Sequence, residues 1–172
     1  MKQSNLRKMI VGAIFCALVF AATCILIPVP GGIGNLNLGD GMLLLGAWIL
    51  GGPWAVVAAS FGAALADLAS GYLIYAPATA IIKALMVVVA IASEKALRRS
   101  GRSVTFGRVI SAVCAELVMV AGYLTYEAFV IGIGAAALPG AVFNLLQGVL
   151  AVAVSVFGCR LLDKAGFKFH KE

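Results

Sequence analysis

Long apolar stretches alternate with short polar segments along this chain of 172 residues. A helix that spans a bilayer needs about 20 mostly apolar residues, because its backbone must satisfy its own hydrogen bonds in hydrocarbon. Four stretches meet that requirement directly, and they cover residues 8–27, 78–96, 107–131 and 140–162. The pattern therefore predicts an all-α, polytopic membrane protein.

A fifth apolar stretch, 41–66, carries no charged residue but is interrupted by Gly-Gly-Pro at 51–53. This tripeptide is a strong helix stop. Reading the stretch as one span gives five helices, and splitting it gives six, with the new pair at 39–51 and 54–68. A helix over 39–51 would be only ~20 Å long against a hydrocarbon core of ~30 Å. We therefore expect it to be tilted or to end among its neighbours.

The basic residues decide between five and six helices. Twelve of the thirteen Lys and Arg residues lie in three clusters at or beyond the ends of the apolar stretches. The clusters are Lys2, Arg7 and Lys8; Lys95, Arg98, Arg99, Arg102 and Arg108; and Arg160, Lys164, Lys168 and Lys171. Positive clusters favour the cytoplasmic side, and only six helices bring all three there. The prediction is a single membrane domain over 1–172 with six transmembrane helices and both termini cytoplasmic.

Composition agrees with a membrane protein. The chain is 63% hydrophobic and 12% charged, with a mean hydropathy of +1.08, whereas soluble domains carry about a quarter charged residues. The net charge of +6 does not indicate a nucleic-acid partner, because the basic residues flank apolar spans. The apolar run 9–27 is too long for a signal-peptide core and lacks a cleavage motif, so we expect a retained helix. The four cysteines lack CxxC spacing and predict neither a metal site nor a disulfide.

Polar residues inside the spans converge at one depth. Lys83 is the one cation within an apolar stretch, ~8 Å from the outer end of its span, and Glu127 and Asn144 lie ~6 Å from theirs. Asp40 and Asp67 stand at the outer ends of their helices. Ionisable groups at such positions are costly and point to function. The candidate substrate contacts are Asn37, Asp40, Asp67, Tyr75, Thr79, Lys83, Glu127 and Asn144.

Helical spacing supports a shared interior face. Thr79 precedes Lys83 by four residues, and Gln147 follows Asn144 by three, so each pair shares one side of its helix. Glu116 and Tyr123 are predicted on the same stripe of their helix as Glu127. Tyr72 and Tyr126 are predicted near the depth of the other polar groups. Acidic, amide and hydroxyl groups around one lysine suit a small ligand that donates and accepts hydrogen bonds, and tyrosine faces suit its aromatic ring.

A structural interpretation of the lysine remains open. Lys83 could pair with Asp67 or Glu127 simply to hold the bundle together. In the binding interpretation, Asp67 or Glu127 orients Lys83 and accepts from ligand hydroxyls, while the ammonium donates to a ring oxygen or nitrogen. Glycines of the 28–38 loop would let that loop fold over the ligand, since glycine tolerates unusual backbone angles. They are Gly31, Gly32 and Gly34.

No catalytic constellation is present in the sequence. The one histidine, His170, lies in the basic tail, and neither a Walker A loop nor an HExxH motif occurs. The serines of the central region have no base nearby in sequence. We therefore expect no enzyme, no cofactor and no bound metal.

Small residues repeat along the first span. Ala13, Ala17 and Ala21 stand at four-residue intervals. Such ridges let a second helix approach closely in lipid. The spacing alone leaves open whether the partner is another helix of this bundle or a separate subunit.

Several of these features, in this order, resemble the substrate-binding S components of energy-coupling factor (ECF) vitamin transporters. The most specific segments are Asn37-Leu38-Gly39-Asp40-Gly41, Gly51-Gly52-Pro53, Ala64-Leu65-Ala66-Asp67-Leu68, Gly71-Tyr72 and Tyr75-Ala76-Pro77-Ala78-Thr79-Ala80-Ile81-Ile82-Lys83. Within the family, the pattern is similar to the branch assigned to pyridoxine or hydroxymethylpyrimidine, which is related to riboflavin-type S components.

The resemblance implies a six-helix bundle that binds a vitamin near its outer face, under the loop joining the first two helices. It implies that Ala13, Ala17 and Ala21 form the docking motif for the transmembrane coupling (T) subunit, and that two cytoplasmic ATPase subunits supply energy. It also implies a prokaryotic plasma membrane. The alternatives are an S component for another vitamin, such as riboflavin, and a membrane assembly subunit that transports nothing.

Overall fold

The computed structural model describes residues 2–28 and 35–166, and this part of the chain is almost entirely helical. It contains six α-helices. They are α1 (Lys2–Cys24), α2 (Gly39–Leu50), α3 (Gly52–Ala69), α4 (Ala76–Arg99), α5 (Val104–Thr125) and α6 (Leu138–Lys164).

Two departures from regular α-helix occur at the same end of the bundle. After α5 the chain continues as a π-helical segment, Tyr126–Ile131, and α6 is preceded by a 3₁₀ turn, Gly134–Ala137. Between α1 and α2 two short strands, β1 (Ile27–Pro28) and β2 (Asn35–Leu36), pair in antiparallel register. The all-α prediction did not include this pairing, which brings the two ends of the connection together.

Five of the helical segments in the described part are long and apolar enough to cross a membrane, and α2 is the shorter sixth. With 12 residues, α2 is ~18 Å long. Ten of those residues are buried, because α2 packs against α1, α3, α4 and α6. The bundle therefore shields its short helix from lipid, and α2 forms the core around which the long helices stand.

The stretch 41–66 is two helices, which meet at Gly51. Gly51 and Gly52 both have φ of +60°, in the left-handed region that favours glycine, and Pro53 occupies the first turn of α3. The reversal of direction between α2 and α3 thus depends on backbone angles that other residues rarely adopt.

All six successive helices run in alternate directions, and the β1–β2 connection reverses the chain between α1 and α2. The end of the bundle that contains the α3–α4 connection is here called the cavity end. The opposite end, called the basic end, contains the start of α1, the end of α4 and the end of α6, where Arg108 Nη1 donates to Asp163 Oδ2 at 3.0 Å. Among the described residues, every Lys and Arg except Lys83 belongs to the basic end.

Candidate functional site

A cavity of about 310 Å³ opens at the cavity end of the bundle. It is lined by residues from five helices and two connections: Thr23, Asn37, Ala63, Asp67, Tyr72, Tyr75, Thr79, Lys83, Tyr123, Glu127, Asn144 and Gln147. All of the predicted substrate contacts line it except Asp40. Its volume lies at the lower end of the range of ~300–1,000 Å³ found for small-molecule sites.

The lysine of the cavity is held by an aspartate from another helix. Lys83 Nζ donates to Asp40 Oδ1 at 2.6 Å, and the two residues are only 6% and 2% exposed. The prediction that Asp67 or Glu127 pairs with Lys83 was therefore wrong. Asp40 takes that place because α2 is buried at the centre of the bundle, with its first turn facing the second turn of α4.

A chain of hydrogen bonds extends from this ion pair to the α1–α2 connection. Gln147 Nε2 donates to Asp40 Oδ2 at 2.7 Å, and the backbone N–H of Asn37 donates to Gln147 Oε1 at 3.2 Å. Asn37 Oδ1 in turn accepts from the backbone N–H of Gly39 at 3.0 Å. Both Asp40 oxygens are thus occupied, and α2, α4 and α6 are joined below the cavity.

A second polar pair lies beside the lysine. The hydroxyl groups of Thr79 and Tyr123 are hydrogen-bonded at 2.9 Å, and Lys83 Nζ lies 5.4 Å from the centre of the Tyr123 ring. A cation over an aromatic face at this distance is stabilised by the ring quadrupole. Tyr123 therefore fixes the position of the ammonium from the α5 side.

The upper wall of the cavity is aromatic and acidic. The Tyr75 hydroxyl donates to Glu127 Oε1 at 3.4 Å, and the Tyr75 ring packs edge-on against Tyr72 and Tyr126. The Tyr126 hydroxyl donates to the carbonyl of Ile74. Burial raises the pKa of the Tyr75 phenol above its ordinary value, and the nearby Glu127 carboxylate raises this pKa further. The phenol thus remains a hydrogen-bond donor at neutral pH.

Glu127 lies in the π-helical segment that follows α5. Such segments are rare, and they often occur at functional sites because they turn side chains away from the regular helical register. The segment begins at Tyr126, so Glu127 is its second residue and follows Tyr123 of α5 by four residues. Both side chains line the cavity.

One carboxylate oxygen of the cavity wall is unoccupied. Asp67 is half-buried near the end of α3, and its Oδ2 atom has no hydrogen-bond partner within residues 2–28 and 35–166. This oxygen is therefore placed to accept a further hydrogen bond.

Within residues 2–28 and 35–166, no group of three or more His, Cys, Asp and Glu side chains is placed to hold a metal ion.

The cavity contains residues that the sequence did not select as contacts. Gln147 and Tyr123 line the cavity from the helix faces that the sequence predicts. Their spacing from Asn144 and Glu127 is the sequence feature that indicates these positions. Thr23 gave no signal, since a single threonine is common in membrane helices. Glu116 shares a stripe with Tyr123 but lies seven residues deeper, ~10 Å along α5, and faces a separate apolar groove.

The alanine ridge of α1 faces outward. Ala13, Ala17 and Ala21 are all exposed, whereas Val19 and Ala22 pack into the bundle. The ridge is thus not used for packing within this chain. The loop glycines Gly31, Gly32 and Gly34 lie outside the described residues.

Comparison with known proteins agrees with this architecture. The model of a family described as "ECF-type riboflavin transporter, S component" matches residues 3–162. No curated protein and no solved structure matches the chain. The matching family consists of transporter components and is not an enzyme family. With its apolar helices and a match over nearly its whole length, this multi-pass membrane protein belongs to the family of ECF-type riboflavin transporter S components.

Proposed function

We propose that the chain is the substrate-binding subunit of an ECF importer, and that the cavity around Lys83 captures a water-soluble heteroaromatic vitamin. The observation that supports this most is the placement of a buried lysine, two acidic residues and three amide side chains around one open cavity. S components as a family bind a small vitamin and work with a T component and ATPases.

The orientation follows from charge. The basic end carries the Lys and Arg clusters, so it faces the cytoplasm under the positive-inside rule. The cavity then faces the outside of a prokaryotic plasma membrane, and both termini are cytoplasmic. In this orientation six helices enter the membrane, with α2 reaching only part of the way through it.

Lys83 is proposed to donate to a ring oxygen or nitrogen of the ligand. An ammonium group carries three N–H donors, and only one is directed to Asp40 at 2.6 Å. The remaining donors lie beside the cavity that Lys83 lines. Asp40 acts as a positioning residue, because both its oxygens are occupied and it does not reach the cavity.

The remaining contacts divide by chemistry. Asp67 and Glu127 accept hydrogen bonds from ligand hydroxyls, and Asn37, Asn144 and Thr79 can donate or accept. Tyr75 packs against the ring of the ligand, as tyrosine faces commonly do. Because every one of these groups is at the cavity end, the ligand can enter without crossing the apolar core.

Riboflavin is the first cargo to test, because the description of the matching family names it. Its polyhydroxyl chain needs several acceptors and donors, which the cavity wall supplies. Pyridoxine and hydroxymethylpyrimidine remain the second candidates, on the resemblance of the segment from Tyr75 to Lys83. Both are smaller rings with hydroxymethyl groups, and each would leave more of the 310 Å³ unfilled.

The exposed ridge Ala13, Ala17 and Ala21 is proposed to dock the T subunit, which links the chain to two cytoplasmic ATPase subunits. Its side chains are small and outward-facing, so a partner helix can approach the α1 backbone closely.

Native mass spectrometry of the purified protein tests the binding proposal, together with a thermal-shift screen of riboflavin, pyridoxine and hydroxymethylpyrimidine. We expect one of the three to remain bound and to raise the melting temperature, since a ligand at 100 times its Kd stabilises by ~2.7 kcal/mol. A membrane assembly subunit would show neither effect with any vitamin, and that result would reject the proposal.

A further inference from the structure

A second cavity, of about 490 Å³, opens at the basic end and shares no described residue with the cavity around Lys83, the proposed vitamin site. It exists because α2 is short. Asp40 near the start of α2 is level with Lys83 of α4, and Gly51 just after α2 lies beside Glu94. From there α4 continues for five residues to Arg99, ~8 Å further. The end of α2 is therefore the floor of a recess, and α4 is its wall.

The wall of this recess is cationic. Among the described residues that line it, Lys95, Arg98 and Arg99 are cations and Glu94 is acidic. Glu94 Oε1 lies 3.5 Å from Arg98 Nη1, so it balances one of these charges. With Glu94 paired to Arg98, the guanidinium of Arg99 adds a positive charge to the described part of the lining, which favours an anionic occupant.

The floor of the recess supplies a hydrogen-bond donor. Trp48 forms the floor, is 6% exposed, and its indole N–H has no partner in the described part of the chain. Behind it, Arg108 Cζ lies 6.0 Å from the Trp48 ring.

The recess also continues into a surface that suits hydrocarbon. On α4 the cations Lys95 and Arg99 follow Leu85, Val88 and Ala92 at helical spacing, and these three residues are exposed on the outside of the bundle. A positively charged site therefore stands directly above an apolar, lipid-facing stripe on the same helix. A soluble anion would need only the positively charged site, whereas a phospholipid would use both this site and the apolar stripe.

We infer that the recess between α2 and α4 binds the phosphate group of an anionic phospholipid from the leaflet at the basic end, with an acyl chain along the stripe of α4. Basic pockets between membrane helices at the cytoplasmic side are suited to such headgroups. The phosphate accepts hydrogen bonds from Arg98 and Arg99, and the short α2 leaves the space for it.

Native mass spectrometry with added lipid tests this site on the full chain. We expect phosphatidylglycerol to bind more tightly than phosphatidylcholine. The double variant Arg98→Gln/Arg99→Gln should weaken phosphatidylglycerol binding by roughly tenfold or more. The matched control Arg7→Gln/Lys8→Gln removes two charges from the same end, outside the recess, and should change it by less than about twofold.

Several results would overturn the inference. One is an equal loss in both variants, since the cations would then act as a general positive surface. Equal binding of phosphatidylcholine would show that the recess does not select an anionic lipid. Full displacement of the lipid by millimolar inorganic phosphate would show that the recess binds a soluble anion. Loss of T-subunit assembly in the Arg98→Gln/Arg99→Gln variant with lipid binding intact would assign it to a protein. Vitamin binding should stay unchanged in both variants, which separates this test from that of the vitamin site.

Discussion

Lys83 Nζ lies 2.6 Å from Asp40 Oδ1, which joins the second turn of α4 to the first turn of α2. A buried ion pair is weak evidence for stability, because desolvation of both charges offsets most of their attraction. The pair here also borders an open cavity, and Gln147 occupies the second oxygen of Asp40 at 2.7 Å. This arrangement leaves the other N–H groups of Lys83 beside the cavity, where the proposed ligand would bind.

The single substitution Lys83→Met should destabilise the protein, because it leaves Asp40 buried without a cation. Loss of one partner of a buried pair costs ~3–5 kcal/mol. The double substitution Lys83→Met/Asp40→Asn should recover most of this loss, because it removes both charges together. Unfolding of the three proteins in the same detergent measures the coupling between the two sites. A double variant as unstable as Lys83→Met would show that the two residues do not act as a pair.

Replacement of Glu116 should affect stability and binding differently from replacement of Glu127, which lines the cavity. It is 5% exposed, and neither of its carboxyl oxygens has a hydrogen-bond partner in the described structure. Since an unpartnered buried polar group costs ~1–3 kcal/mol, Glu116→Leu should leave the melting temperature unchanged or raise it. The matched variant Glu127→Leu should weaken vitamin binding, because Glu127 lines the cavity. A clear fall in melting temperature for Glu116→Leu would contradict this.

Close packing of α1 and α3 depends on Gly62. A methyl group at this position would lie 2.5 Å from the backbone carbonyl oxygen of Cys16, which cannot move without shifting α1. Gly62→Ala should therefore cost ~1–3 kcal/mol by overpacking. Gly12→Ala at the same interface is the control, because its nearest contacts, on Trp54, are at 3.8 Å. Thermal unfolding should separate the two variants, and equal melting temperatures would disprove the close approach.

The alanine ridge can be tested without disturbing the vitamin site. Ala17→Leu should reduce co-purification with the T subunit, because the larger side chain holds the partner helix away from α1. Vitamin binding should be unchanged, since Ala17 is exposed and remote from the cavity. Ala92→Leu on the exposed face of α4 is the matched control. Assembly that is equally tolerant of both substitutions would remove the ridge as the docking surface.

Helix position along the membrane could be predicted from the sequence, and this was enough to locate the cavity. The depths of Lys83, Glu127 and Asn144 follow from the ends of their spans, because the rise per residue in a helix is constant. All three line the same cavity. Similarly, the four-residue spacing of the alanines indicated a ridge on one face of α1.

Contacts between helices could not be predicted in the same way. The partner of Lys83 is 43 residues away in sequence, and its identity depends on which helix occupies the centre of the bundle. Sequence spacing contains no information on that arrangement. Glu116 and Tyr123 share a stripe, yet they face different cavities, because the cavity around Lys83 does not extend two helical turns along α5.

Calorimetric titration with riboflavin, pyridoxine and hydroxymethylpyrimidine measures the central claim most directly. The samples are the natural protein, the Lys83→Met/Asp40→Asn variant and a Lys164→Met control with an exposed lysine at the basic end. We expect one vitamin to bind the natural protein and the control equally, and the double variant at least ~10-fold more weakly, since a hydrogen bond to a charged group contributes ~1.5–3 kcal/mol. Equal affinity in all three proteins, or no binding of any vitamin, would contradict the role assigned to Lys83.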